Sequence, residues 1–146
     1  NMKAVSQRVT KAKLFCEGKL INEIGNGLIV YFGVQKGDDI TAASYLAKKI
    51  SNLRVFEDEN KKMNLSVKDV GGSVLAVSQF TLIADVSHGN RPSFSCAEEP
   101  LKANEIYEFF ISELQKENLP VKGGVFGGDM KIEQHNDGPV TIIYEI

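Results

Sequence analysis

Apolar and polar positions along this chain sort it into strands and two helices. Met2 to Thr10 alternates, with Met2, Ala4 and Ser6 on one face and Val5, Gln7 and Val9 on the other, which predicts a strand. Lys13 to Cys16 and Lys19 to Ile24 predict a hairpin turning at Glu17-Gly18. Leu28 to Val34 is nearly all apolar and β-branched or aromatic, so it predicts a central strand covered on both faces; Gly33 within it marks a bulge or a close backbone approach. Gly37-Asp38-Asp39 supplies a stop and an N-cap. Ile40, Ala43, Leu46, Ala47, Ile50 and Leu53 then recur at helical spacing.

After a polar connector from Glu57 to Lys62, Met63 to Val67 predicts a short strand, and Gly71-Gly72 breaks the chain before the apolar strand Ser73 to Gln79. Val86 to Pro100 has no periodicity. A loop of that length in a compact domain is often functional. The second helix is predicted from Leu101 to Glu117, with Ala103, Ile106, Phe110, Ile111 and Leu114 inside. Gly123-Gly124 and Gly127-Gly128 bracket a turn region, and Lys131 to Gln134 and Val140 to Ile146 close the pattern as strands. Two helices among roughly seven strands, with hairpin-like connections, argue an α+β fold. Residues 2–146 read as one domain without repeat or linker; Asn1, ahead of Met2, reads as a cloning remnant.

The net charge of −2 offers no general attraction for nucleic acid. Phosphate contacts would have to come from local clusters: Lys3, Arg8, Lys11 and Lys13, or Arg54, Lys61 and Lys62. Solvated faces of mixed charge are the simpler reading of both. Cys16 and Cys96 form no CxxC, which suits unpaired thiols in a reduced, cytoplasmic setting. No signal-peptide pattern opens the sequence, and no apolar run is long enough to span a membrane.

No metal or cofactor is expected. GxGxxG and GxxxxGK[ST] are absent, and His88 and His135 have no ligand spacing such as HExxH. Ser93 and Ser95 lack a GxSxG turn and read as loop hydroxyls. Two segments stand out instead. Ser78-Gln79-Phe80-Thr81-Leu82 places polar groups at the exit of the apolar strand Val74 to Val77, where a buried sheet opens into a cleft. Asn136-Asp137-Gly138-Pro139-Val140-Thr141 places Gly before Pro, the dipeptide in which a cis bond is cheap and least restricted. Together they suggest a rigid pocket lined by main chain. Each keeps a plainer alternative: Thr81 as a strand-end residue, Gln79 as a satisfied amide, Asn136 to Pro139 as a turn. None of these side chains is a good base at neutral pH. Hydrolysis here would depend on positioning and main-chain donors, with an activated ester as a fitting substrate.

The chain resembles the D-aminoacyl-tRNA deacylases of the bacterial and eukaryotic type over essentially Met2 to Ile146. The resemblance rests on Gln7-Arg8-Val9, Glu23-Ile24-Gly25, Gly27-Leu28, Lys62-Met63-Asn64-Leu65, Gly71-Gly72-Ser73-Val74-Leu75, Ser78 to Leu82, Gly89-Asn90-Arg91-Pro92-Ser93-Phe94 and Asn136 to Thr141. It implies an antiparallel-rich, barrel-like sheet with two main helices packed outside. It also implies a cytoplasmic homodimer that hydrolyses D-aminoacyl-tRNA, and some glycyl-tRNA, at the 3′-terminal aminoacyl-adenosine, and is not bound to membranes. By the same resemblance Gly138 and Pro139 form a cis gate reaching into the partner's site and excluding L-amino acids, with Arg8 bracing it. Phe80 and Thr81 offer N–H groups, Gln79 its side chain, and Ser78 lines the site. Thr81 matches a nucleophile candidate, against a view that assigns the chemistry to the substrate's 2′-hydroxyl. The competing readings are a dimeric binding module without turnover, an editing domain for L-serine on tRNA, and a purely structural dimer, which leaves the polar exit of the central strand unexplained.

Overall fold

The computed structural model describes residues 1–146. In chain order the elements are β1 (Lys3–Cys16), β2 (Lys19–Ile24), β3 (Gly27–Gly33), α1 (Ile40–Ser51), β4 (Phe56–Glu57), β5 (Met63–Leu65) and β6 (Ser73–Ser78). A 3-10 turn (Phe80–Ile83), α2 (Pro100–Gln115), β7 (Val121–Gly123) and β8 (Met130–Glu145) follow.

β1 is the spine of the main sheet. One edge pairs antiparallel with β3 over Lys3 to Val9 and with β2 over Ala12 to Cys16; the other edge carries β8 for almost its whole length. β6 joins β3 in parallel and β7 joins β6 in parallel, so the sheet is mixed though rich in antiparallel pairs. Parallel neighbours need crossovers, and α1 and α2 lie on the connections that supply them. The Asn22 side chain donates to the Gly123 carbonyl at 2.6 Å, tying β2 back to β7 and curling the sheet nearly into a barrel.

The curl explains why β3 and β6 are almost wholly apolar. Alternate residues point to two cores. Leu28, Val30, Phe32, Val74 and Ala76 pack under α1 and α2, where Phe32 stacks on Phe110 with centroids 4.3 Å apart. Ile29, Leu75 and Val77 point the other way, onto Val9, Ala12, Leu14 and Ile24 inside the curl. α1 starts where expected: the Asp39 side chain accepts from the Ala42 N–H at 3.2 Å.

The structure corrects several boundaries. Met2–Thr10 and Lys13–Cys16 belong to one strand, because the polar step at Thr10-Lys11 lies where β1 changes partner from β3 to β2. Leu53 lies beyond the end of α1, and β4 and β7, two and three residues long, were too short to show a pattern. Tyr107 belongs to the buried stripe of α2. Asn136 to Pro139 does not end a strand. β8 stays paired on both sides while the register jumps from Gln7↔Thr141 to Val9↔Asn136, so that Arg8 alone faces residues 137–140.

Candidate active site

A cleft of about 660 Å³ opens beyond the ends of β3 and β6, between the curled sheet and the start of α2. The crevice outside the carboxyl ends of parallel strands is where such sheets present ligand sites. Val77, Ser78, Gln79 and Phe80 form one wall, and Phe126, Gly127, Gly128 and Met130 form another.

The wall's shape comes from packing. The Gln79 N–H donates to the Phe32 carbonyl at 2.8 Å, extending the β3–β6 ladder by one bond. Gly33 lets the chain turn there: a Cβ on it would lie 2.9 Å from the Gln79 carbonyl oxygen and 3.0 Å from Leu82 Cβ. Gly33 is thus the close approach that the sequence suggested. The 3-10 turn begins at once, leaving the N–H groups of Phe80 and Thr81 without an intrahelical acceptor. Thr81 stands beside the wall, where its hydroxyl accepts from the Gln79 side-chain amide.

The segment after the turn contributes Phe94, Ala97 and Glu98 to the cleft's lining. Isolated bridges Asp85↔Ser93 and Gln35↔Ala97 hold it, and Phe94 meets the Phe80 ring edge-on at 5.1 Å. Ser87 donates to the Asp85 carboxylate through its hydroxyl and its N–H, which holds that carboxyl below the usual range. Sequence reasoning missed several lining residues, namely Lys36, Glu98, Glu99 and Asp129, because no motif links them. It also missed Tyr107. The Tyr107 hydroxyl donates to the Ala76 carbonyl at 2.7 Å and accepts from the Gly124 N–H at 3.1 Å, joining β6 to the backbone that leads into the far wall. Burial pushes this phenol above its ordinary pKa.

The second segment lies elsewhere. Gly138 and Pro139 are exposed, joined by a cis peptide, and neither lines the cleft. Within one chain the two segments therefore do not build a common pocket. Arg8, only 6% exposed, reaches under the excursion. Its Nε donates to the Asp137 carbonyl at 3.1 Å and lies 3.3 Å from the Asp137 carboxylate, while another of its N–H groups donates to the Val55 carbonyl at 2.6 Å. Gly138 has φ +124°, and a Cβ there would lie 2.9 Å from Val140 Cγ2 and 3.2 Å from the Arg8 guanidinium.

The family profile for D-Tyr-tRNA(Tyr) deacylase matches residues 5–145. The chain belongs to that family. A D-aminoacyl-tRNA deacylase of Koribacter versatilis (strain Ellin345) is 51% identical over 144 residues, covering 99% of this chain and 97% of its own. One of Lactobacillus helveticus (strain DPC 4571) is 46% identical over 145 residues, covering 99% and 100%. A solved structure described as a c-Myc DNA unwinding element binding protein superposes with TM-score 0.92 at 42% identity over 99% of this chain and 98% of that one. Another, described as a probable eukaryotic D-amino acid tRNA deacylase, gives TM-score 0.84 at 16% identity over 99% of each, a likeness of fold alone. Family membership makes the chain a hydrolase of the D-aminoacyl-tRNA deacylase type. No group of three or more His, Cys, Asp or Glu is placed to hold a metal, both cysteines are free, and no helix is long and apolar enough to cross a membrane.

Proposed function

We propose that the chain cleaves the ester between a D-amino acid and the 3′-terminal adenosine of tRNA, as a cytoplasmic homodimer in which Gly138-Pro139 of each copy closes the cleft of the other. The observation that carries this reading is the separation of the two segments. One chain holds a cleft with free main-chain donors and, apart from it, an exposed loop buttressed by a buried arginine. A two-fold dimer satisfies both, since each copy offers the same two surfaces to the other.

In this reading the Phe80 and Thr81 N–H groups, left without an intrahelical acceptor, hold the ester's oxygen as it gains charge. Ser78 and Phe80 line the aminoacyl end, and Gln79 donates to it. Water adds to the carbonyl carbon, and the ribose 3′-oxygen leaves with a proton that the neighbouring 2′-hydroxyl is placed to relay. In this reading Thr81 is not the nucleophile; its bonded neighbour is the Gln79 amide N–H, which is no base to take the hydroxyl proton. The Gly138 and Pro139 carbonyls face the substrate ammonium, and their rigid backbone leaves no room for an L side chain. Exclusion of this kind discriminates by collision and not by added attraction. Glycine has no side chain to exclude, so some glycyl-tRNA is also cleaved.

The test is hydrolysis of D-tyrosyl-tRNA beside L-tyrosyl-tRNA by the purified protein. Rapid loss of the D-ester with the L-ester intact is expected. Saturable binding with neither ester cleaved would favour a binding module, and cleavage of L-esters would favour an L-serine editing domain. Thr81→Ala should keep turnover within about tenfold of the parent, whereas loss of an essential nucleophile costs several orders of magnitude.

A further inference from the structure

The net charge of −2 conceals an uneven distribution. Tyr45, Lys48 and Lys49 on α1 and its C-cap Asn52 recur at positions i, i+3, i+4 and i+7, and so share one face. With Leu53, Arg54 and Tyr144 of β8 they line a concavity of about 390 Å³ that shares no residue with the cleft. No carboxylate lines it, and Lys48, Lys49 and Arg54 form no ion pair within the chain. Arg54 is nevertheless held in place, donating from Nε to the Asn64 carbonyl at 3.0 Å and from a second nitrogen to the Asn64 side chain. Tyr45 leaves 55% of its surface exposed beside these cations.

Lysines in the last turn of a helix complement its dipole, which accounts for Lys48 and Lys49 alone. It does not account for the concavity, for Arg54 beyond the helix end, or for an exposed aromatic ring among them. Three cations without an ion-pair partner and two tyrosines around a hollow suit a phosphodiester backbone with a base free to stack. Location adds a further reason. Arg54 adjoins Val55, whose carbonyl is bound by Arg8, and Arg8 holds the Asp137 carbonyl next to Gly138.

We propose that this concavity is a docking site for the phosphate backbone of the tRNA acceptor arm. The inference rests on the deacylase reading: when Gly138-Pro139 closes the partner's cleft, the concavity lies beside the RNA whose 3′ end has entered there. Recognition is then divided. The cleft holds the aminoacyl-adenosine, and the companion subunit holds the chain leading to it.

The experiment compares two substrates, D-tyrosyl-tRNA and the fragment D-tyrosyl-adenosine, with the parent protein and the double variant Lys48→Ala/Lys49→Ala. Both lysines are exposed, so the fold should be kept, which circular dichroism checks. For tRNA the variant's KM should rise on the order of tenfold, and the slope of log KM against log salt should fall by about 2, one for each phosphate that a lysine no longer neutralises. Cleavage of the fragment should be unchanged. Unchanged KM and salt slope on tRNA would overturn the proposal, as would equal losses on both substrates. If the parent cleaves neither substrate, the deacylase reading itself fails and takes this inference with it.

Discussion

Ser78 to Leu82 and Asn136 to Thr141 are equally conspicuous in sequence, yet the fold holds them by different means. The first continues a strand buried on both faces. Its backbone is fixed by a ladder bond to Phe32 and by the absence of a side chain on Gly33. The second is an exposed excursion from a paired strand, held from beneath by one buried arginine. A site shaped by packing tolerates change in its polar side chains and fails when its backbone donors go. A loop shaped by one polar bracket fails when that bracket goes.

The largest effect should come from removing a donor in the packed region. Phe80→Pro suits the first position of a helical turn but lacks the N–H, so kcat should fall about 10²–10³-fold with little change in Tm. Phe80→Leu keeps the N–H, gives up only the edge-on packing against Phe94, and should retain most activity. Steady-state kinetics on D-tyrosyl-tRNA distinguishes the two. If both variants lose activity equally, the ring and not the donor matters.

Next comes the bracket. Arg8→Ala leaves two carbonyls without a donor, which should cost about 1–3 kcal/mol of stability by thermal unfolding. The loop's displacement should lower kcat/KM by about tenfold to a hundredfold. Arg8→Lys should not restore it, because one ammonium cannot reproduce a fork that reaches two separated carbonyls.

A smaller effect tests how far the two walls of the cleft are coupled. Tyr107→Phe removes the bonds to Ala76 and Gly124 and should cost about 1–2 kcal/mol, read in denaturant unfolding. The phenol's raised pKa adds a pH signature. Its contribution to stability is full below the ordinary value of 10.0 and is lost as pH rises beyond it, because the unfolded phenol ionises first. The parent should therefore lose stability above about pH 10 more steeply than Tyr107→Phe.

How legible these features were follows from what fixes each. β3 and β6 were visible because burial on both faces demands an unbroken apolar run, and α1 because Asp39 and its stripe agree. β7 was not, since three residues carry no period. The bulge at residues 137–140 read as a turn because Asn, Asp, Gly and Pro encode the local bend, whereas the resumed ladder depends on β1, which lies far away in sequence. The cleft could be located from the polar exit of β6, but Lys36, Glu98 and Asp129 reach it only through tertiary folding. Charge pattern alone left Arg8 a surface arginine and only the family resemblance gave it a bracing role, because its backbone acceptors, Val55 and Asp137, lie far away in sequence.

The central claim is that the two regions act on one another only between subunits, and co-expressing Phe80→Pro with Arg8→Ala tests it most directly. A mixed dimer pairs the intact cleft of the Arg8→Ala copy with the intact loop of the Phe80→Pro copy. D-tyrosyl-tRNA hydrolysis well above that of either variant alone is the predicted result. Activity no greater than the average of the two variants, in a preparation shown to contain mixed dimers, would contradict the account.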